Sequence, residues 1–304
     1  MGDRWPDVFI VGAPRTGTTF LWEALRHHPS VFMSSPKEPL YFCSDLNTGT
    51  EADRHSFLTD KDRYLGLFRA APRDALVGEA CVFNLLSAVA AERIRAVRPD
   101  ARIIVSLREP VAQMVSFHSV RVSEGHEDLP FAEALAAESD RLRGKRLPPH
   151  AVLVPAYAYR SVASYADQVE RYLLSFPRDQ LLVLFYEDLQ RDRAAWLDRV
   201  RSFLGLEREI RRERVDAPQF KPRSNGLSNL IRSPSVIRAA KRSVPQRVHP
   251  HARRAVEAIG RLNRRRAPTA TVDADLRQRV RAELEPDVDR LGKMLDEDLV
   301  ARWG

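Results

Sequence analysis

The sequence predicts an α/β fold: a parallel β-sheet flanked by helices on both faces, followed by a helical, basic C-terminal extension. Short apolar runs alternate with stretches of helical periodicity, which is typical of strands buried on both faces of a parallel sheet. The four predicted strands span 8–11, 75–77, 103–107 and 181–185. The predicted helices among them span about 19–27, 85–97, 110–122 and 155–175.

Proline positions support two of these helices, because Pro110 and Pro155 each stand at a predicted first turn, where the missing N–H costs little. Segment 34–62 is polar and turn-rich, and we expect a loop with one short helix there. A last amphipathic helix, about 274–300, has one apolar face that we expect to pack against the core. That face carries Leu276, Val280, Leu284, Val288, Leu291, Leu295 and Leu299.

Length and charge suggest how the chain is organised. A chain of 304 residues is long enough for one elaborated domain, and we place its core at 1–206. Segment 207–304 is then a basic lid and C-terminal helices packed on the same domain. Residues 207–270 hold 17 Lys or Arg and 5 Asp or Glu, a net +12 against +8 for the whole chain. This stretch is either a solvated flank or a lid that collects anions.

Composition excludes several classes of protein. Cys43 and Cys81 are the only cysteines, so a disulfide framework and a zinc site are both excluded, and we expect no bound metal. No apolar run approaches the ~18 residues of a transmembrane helix. The first strand begins at Val8, which leaves no room for a signal peptide, so we expect a cytoplasmic protein. The Arg- and Ala-rich composition favours a bacterial source with a high-GC genome.

The most informative motif lies between the first strand and the first helix. Gly12 and Gly17 have the G-x-x-x-x-G spacing of a phosphate-binding loop, but Thr18 stands where nucleoside triphosphatases have lysine. The positive charge is supplied earlier, by Arg15. Backbone N–H groups and the positive end of the helix dipole favour an anion there. The loop therefore predicts an anionic nucleotide other than a magnesium-bound triphosphate.

A second pair of polar residues follows the predicted strand 103–107. Arg108 stands at its carboxyl end, where open parallel sheets bind ligands. Ser116 lies about two helical turns later, on a face that can turn back toward the same pocket.

These motifs together resemble the sulfotransferases that use 3′-phosphoadenosine 5′-phosphosulfate (PAPS), especially the bacterial relatives of the heparan sulfate sulfotransferases. The resemblance covers about residues 7–190. It is carried by Gly12–Thr19, His28-Pro29, Ser35–Phe42, Gly78-Glu79 and the pair Arg108 and Ser116.

The resemblance implies how the donor is held. The loop residues Arg15, Thr16, Gly17, Thr18 and Thr19 would bind the 5′-phosphosulfate. Arg108 and Ser116 would bind the 3′-phosphate, Tyr186 would line the adenine pocket, and Arg223 would close over the 3′-phosphate. The reaction implied is in-line sulfuryl transfer to a hydroxyl, in preference to an amine, without a metal, and it releases 3′-phosphoadenosine 5′-phosphate (PAP).

The resemblance also implies the catalytic residues. Glu38 matches the family's base, and Arg15 would stabilise charge on the transferring group. His118 is the competing base. Heparan-directed relatives often carry a lysine near Gly78-Glu79, where this chain has Ala80 and Cys81. This difference weakens the expectation of a heparan-like acceptor.

Two other functions remain open at this point. A P-loop kinase or nucleoside triphosphatase would need lysine at position 18. A nucleic-acid-binding module would use 207–270, although that stretch lacks interleaved aromatic residues. If the chain is a sulfotransferase, as the resemblance implies, we expect no nucleic acid partner beyond the nucleotide donor.

The acceptor is open as well. Segments 40–70, 120–155 and 225–250 would form its pocket, and the acceptor could be a small molecule of specialised metabolism, a glycolipid or a saccharide. Phe117, His118, Tyr157 and Tyr159 are either an aromatic-lined cleft or core. The sequence does not define the oligomeric state.

Overall fold

The computed structural model describes residues 3–148, 151–210 and 272–304, and the backbone of two short strands at Phe220–Pro222 and Arg264–Arg266. A parallel sheet forms its centre, with strand order β2-β3-β1-β4-β5. The strands are β1 Val8–Gly12, β2 Val31–Met33, β3 Leu76–Ala80, β4 Arg102–Leu107 and β5 Leu181–Phe185. The two short strands, β6 Phe220–Pro222 and β7 Arg264–Arg266, pair antiparallel in a separate ladder.

Both faces of the sheet are buried, which confirms the predicted layer arrangement. Phe9 and Val11 of β1 belong to the core on one face, whereas Val8 and Ile10 belong to the core on the other. All four side chains are at most 1% exposed. Strands of this kind need apolar residues at every position, which is why continuous apolar runs identified them.

Within the five-stranded sheet, the sequence prediction missed one strand and misplaced the bounds of another. β2 has only three residues and lies at the sheet edge, so its run is too short to show a period. The strand predicted at 75–77 instead continues to Ala80. Its second half contains Gly78 and the fully buried Glu79, which interrupt the apolar pattern.

The helices surround this sheet. They are α1 Thr18–Arg26, α2 Glu51–Ser56, α3 Lys61–Gly66, α4 Ala90–Val97, α5 Pro110–Glu124, α6 Phe131–Ala136, α7 Glu138–Leu142, α8 Tyr159–Ala163, α9 Ala166–Ser175, α10 Tyr186–Arg191, α11 Arg193–Leu204, α12 Ala274–Leu295 and α13 Leu299–Trp303. Short 3₁₀ turns occupy Ser44–Leu46, Val154–Tyr157 and Arg178–Gln180.

The single helix predicted at 155–175 is wrong, because the chain breaks between α8 and α9. Ser164 ends α8 in an extended conformation, with φ −82° and ψ 95°. The carboxylate of Asp287, in α12, accepts the N–H groups of Tyr165 at 2.7 Å and Ala166 at 3.2 Å. A distant helix therefore caps the first turn of α9, and local periodicity carries no sign of it.

Two other helix boundaries differ from the prediction. The helix predicted at 85–97 begins only at Ala90, because the Ser87 hydroxyl oxygen accepts the N–H groups of Val89 and Ala90. Segment 34–62 contains a 3₁₀ turn, the whole of α2 and the start of α3, rather than one short helix.

The C-terminal amphipathic helix is confirmed, although it divides into α12 and α13. Asp296 ends α12 in the left-handed conformation, with φ 57°. The buried positions of its apolar face are Val280, Leu284, Val288, Leu291, Leu295 and Leu299. α12 packs against α5 and α9, so this face lies on the same core as the sheet. Within the described residues, no helix has the length and apolarity to cross a membrane.

Candidate active site

The candidate site lies at the edge of the sheet where β1, β3, β4 and β5 end. Parallel strands deliver their carboxyl ends to the same edge, and crevices there are the usual ligand sites of open α/β sheets. The loop after β1 lies between the loops that follow β3 and β4, because β1 pairs with both of those strands. The fold thus brings the separate sequence motifs to one place.

The loop after β1 has a backbone that few residue types tolerate. Arg15 and Gly17 have left-handed φ angles of 68° and 92°. The φ of Gly17 favours glycine at this position, and a β-carbon there would also lie 2.5 Å from Leu189 Cδ2, so that the leucine side chain would have to shift. α1 starts directly after it without a side-chain cap. The N–H groups of its first turn therefore lack helical partners and suit an anion.

Three side-chain hydrogen bonds hold this loop in shape. The Thr16 hydroxyl donates to Ala13 O at 2.7 Å, within the loop. The Ser106 hydroxyl donates to Thr16 O at 2.7 Å, and the Gln113 amide donates to Pro14 O at 3.0 Å. The proton of the Thr16 hydroxyl is thus used within the loop.

Sequence reasoning missed Ser106 and Gln113 as supports of the loop. Both are completely buried. The available signal was a polar residue inside an apolar strand, and another on the inner face of a helix, because buried polar groups need hydrogen-bond partners.

Arg15, Arg108, Ser116 and Tyr186, all predicted from sequence, meet in the structure. Arg15 Nε donates to Ser116 Oγ at 3.1 Å, and Arg108 Nη1 donates to Arg15 O at 3.3 Å. The Arg108 guanidinium lies 4.5 Å from the centre of the Tyr186 ring, close enough for a cation–π interaction. Two cations and an aromatic ring therefore share one corner of the site.

The electrostatics of this corner favour an anionic ligand. Burial lowers the pKa of the Arg15 guanidinium, and the neighbouring charge of Arg108 lowers it further. Arginine remains protonated all the same. The repulsion between two partly buried positive charges is unfavourable, and a bound anion would offset it.

Glu38 lies on the loop that reaches the same edge beside β3. Its N–H donates to Ala80 O at 2.8 Å, at the end of that strand. Its carboxylate accepts a 2.6 Å hydrogen bond from the Lys37 ammonium, and its side chain is 35% exposed. The φ angle of Glu38 is 61°, in the left-handed region. The backbone of Glu38 is thus in an unusual conformation, and its carboxylate is restrained by an ion pair. Solvent can still reach the carboxylate.

Arg93, from α4, anchors the chain just after Glu38. Its Nη1 donates to Tyr41 O and Phe42 O at 2.8 Å, and to Ser44 Oγ at 2.9 Å. Its guanidinium also lies 5.3 Å from the centre of the Tyr41 ring. No local motif indicates this role, since Arg93 and Tyr41 are far apart in sequence.

Glu79 is a second carboxyl at the end of β3, and it is completely buried. Its oxygens accept hydrogen bonds from the Tyr64 hydroxyl and, at 3.0 Å, from the Asn84 amide. Burial raises the pKa of Glu79 to about 7, although these two donors oppose the shift. The neighbouring Ala80 and Cys81 carry no positive charge and are also fully buried. These two residues therefore offer no cation to a substrate.

His118 and the aromatic residues around it form core. His118 is 5% exposed, packs edge-on against Phe131 and Tyr159, and contacts Leu129 O through Nε2 at 2.9 Å. Tyr157 is also buried, at 0% exposure. The structure therefore favours core packing over an aromatic-lined cleft.

Two further predictions concern Arg223 in the basic stretch and a bound metal. Arg223 lies outside the described residues, as does most of the basic stretch 207–270. Among the residues that are described, no group of three or more His, Cys, Asp or Glu has the arrangement of a metal site.

The chain is similar to known proteins over the part that contains the candidate site. Residues 5–247 match the protein family described as the sulfotransferase domain. A solved structure of a sulfotransferase from Alicyclobacillus acidocaldarius superimposes with a TM-score of 0.71 at 28% sequence identity, covering 99% of both chains.

Curated human proteins are similar over a shorter stretch. The bifunctional heparan sulfate N-deacetylase/N-sulfotransferase 3 is 29% identical over 67% of this chain and 23% of its own length. The heparan sulfate glucosamine 3-O-sulfotransferase 3B1 is 28% identical over 67% of this chain and 47% of its own length. The chain thus spans about a quarter to a half of these relatives.

The buried carboxyl gives a pH-dependent stability. Because the pKa of Glu79 rises from 4.5 to about 7 on folding, the folded state holds its proton more tightly between those pH values. Stability should fall by up to about 3 kcal/mol as pH rises from 4.5 to 7, and then level off. Urea unfolding of wild type and Glu79→Gln between pH 5 and pH 8.5 measures this, and we expect a flatter profile for the variant.

The exposed Glu92→Gln in α4 is the matched control and should keep the wild-type slope. Parallel profiles for wild type and Glu79→Gln would contradict the assignment of the pH dependence to this carboxyl.

Proposed function

The chain belongs to the sulfotransferase domain family, and from that premise we propose that it transfers the sulfuryl group of PAPS to an acceptor hydroxyl, with Glu38 as the general base. The observation that carries the proposal is the meeting of Arg15, Arg108, Ser116 and Tyr186 beside the uncapped start of α1. PAPS has two anionic groups and an aromatic base, and this corner offers a partner for each.

The donor would lie across the sheet edge. Its 5′-phosphosulfate would be held by Arg15 and by the N–H groups of the loop and first turn, including those of Thr18 and Thr19. Arg108 and Ser116 would hold the 3′-phosphate, and the Tyr186 ring would border the adenine. Arg223 remains a candidate for a further contact to the 3′-phosphate.

In the proposed transfer, one bond to sulfur forms as another breaks. The acceptor oxygen forms a bond to sulfur while its proton passes to a carboxylate oxygen of Glu38. The bond between sulfur and the bridging oxygen of the 5′-phosphate breaks, and PAP leaves with that oxygen. Negative charge builds on the bridging oxygen and the sulfuryl oxygens, where Arg15 and the loop N–H groups would stabilise it.

Glu38 suits the role of base in two respects. The Lys37 ammonium donates to its carboxylate at 2.6 Å and so restrains the position of that carboxylate, which remains partly open to solvent. His118, in contrast, is 5% exposed and packs between two aromatic rings, so we prefer Glu38.

Two observations bear on the class of acceptor. The relatives named for heparan sulfate support a saccharide acceptor, but this chain has buried Ala80 and Cys81 near the position where the resemblance places a lysine in heparan-directed enzymes. We therefore propose a hydroxyl of a small molecule, glycolipid or saccharide. A screen of acceptors with labelled PAPS distinguishes among them.

Removing the loop cation tests the donor end of the site. Arg15→Ala should lower kcat by about 10²–10³, because the charge that builds on the transferring group loses its main partner. Arg15→Lys, which keeps the charge but not the fork of donors, should lose less. Steady-state kinetics at saturating donor and acceptor measure both, and a loss below about threefold for Arg15→Ala would count against the assignment.

Removing the proposed base tests the acceptor end. Glu38→Gln should lower kcat by about 10²–10⁴ while leaving the Kd for PAP close to wild type, because the side chain acts on the acceptor proton. The exposed Glu92→Gln in α4, outside the segments expected to form the acceptor pocket, is the control and should retain full activity. An active Glu38→Gln together with an inactive but folded His118→Asn would transfer the role of base to His118.

A further inference from the structure

The last helix of the chain touches the nucleotide end of the site through one carboxylate. Glu187 follows Tyr186, and its Oε1 accepts the N–H of Glu109 at 3.0 Å. Its Oε2 accepts the indole N–H of Trp303, in α13, at 3.3 Å. A single side chain therefore connects the end of β5, the end of β4 and the C-terminal helix.

Both ends of this connection adjoin the proposed nucleotide ligands. Glu109 is the neighbour of Arg108, and Glu187 is the neighbour of Tyr186. The bond between Glu187 and the Glu109 N–H therefore sets the spacing of the two strand ends whose next residues form the 4.5 Å cation–π pair.

Further contacts hold the C-terminal helix in register with this corner. Arg302 pairs with Asp188 at 2.6 Å, and its guanidinium lies 4.3 Å from the centre of the Phe185 ring. Trp303 is 5% exposed and packs edge-on against Phe185. α13 is thus fixed to the β5–α10 junction on both sides of Glu187.

The other side of the corner is held from α12. The Glu109 carboxylate accepts the N–H groups of Val111 and Ala112 at the start of α5. Arg277 and Arg281 lie 3.7 Å and 3.9 Å from its oxygens. The backbone after Arg108 is therefore constrained by α5, α10 and α12 together.

We propose that Glu187, held by Trp303, is a positioning residue that sets Arg108 and Tyr186 in place and thereby determines how strongly the site prefers a nucleotide with a 3′-phosphate. This inference rests on the proposed function, since it takes Arg108 as the 3′-phosphate ligand. The C-terminal helix then contributes to donor selectivity without touching the donor.

The test compares two nucleotides that differ only in the 3′-phosphate. Calorimetry gives the Kd of PAP and of adenosine 5′-monophosphate for the full chain and for Glu187→Gln and Trp303→Phe. Trp303→Phe keeps the ring packing and removes the N–H donor. We expect each variant to bind PAP about tenfold more weakly, because small displacements of a ligand-binding group are costly. The loss for adenosine 5′-monophosphate should be smaller, because Arg108 would hold only the 3′-phosphate, whereas Tyr186 would border the adenine of both nucleotides.

Controls separate positioning from a general loss of stability. Trp196→Phe removes another buried indole hydrogen bond, to Phe185 O at 3.2 Å, without touching Glu187, and should keep the wild-type preference. The double variant Glu187→Gln/Trp303→Phe should lose little more than either single variant, because both break one connection. Thermal unfolding confirms that each variant is folded.

The outcomes distinguish this inference from the proposed function. Wild-type protein that binds neither nucleotide would overturn both. Wild-type protein that prefers PAP, with folded Glu187→Gln and Trp303→Phe variants of unchanged preference, would overturn only the positioning role. An equal loss of preference in Trp196→Phe would also overturn it, because any disturbance of β5 would then suffice.

Discussion

Two positively charged side chains, Arg15 and Arg108, lie close together at the carboxyl edge of the sheet and repel each other. The neighbouring residues of the candidate site hold both of them in place. Arg108 donates to the backbone carbonyl of Arg15, while Arg15 donates to Ser116. The lowered pKa of Arg15, caused first by burial and then by Arg108, records the cost. A bound anion would offset this cost, which supports the proposed donor site.

The fold supplies the rigidity that this arrangement needs. Ser106 and Gln113 fix the loop after β1 from β4 and α5, and Arg93 fixes the loop that carries Glu38 from α4. Each functional loop is therefore anchored by an element distant from it in sequence. Preorganisation of this kind lets a site stabilise developing charge without rearranging during the reaction.

Local patterns in the sequence predicted what depends on local structure. The apolar runs gave four of the five strands of the sheet, and the loop motif with Arg108, Ser116 and Tyr186 identified side chains that meet in space. Long-range contacts were not predictable. The Asp287 cap that separates α8 from α9, and the hydrogen bond from Tyr64 to Glu79, join residues whose sequence neighbours carry no sign of them. The roles of all the site residues in binding and catalysis, those of Arg15, Arg108, Ser116 and Tyr186 as well as those of Glu38 and Arg223, remain predictions.

The most direct measurement of the central claim is calorimetric titration of the full chain with PAP at low and high salt. Convergent cations predict one site per chain, a Kd of about 1 μM or tighter, and weaker binding as salt rises. The absence of saturable binding up to about 1 mM PAP by folded protein at low salt would contradict an anion-binding role for Arg15 and Arg108.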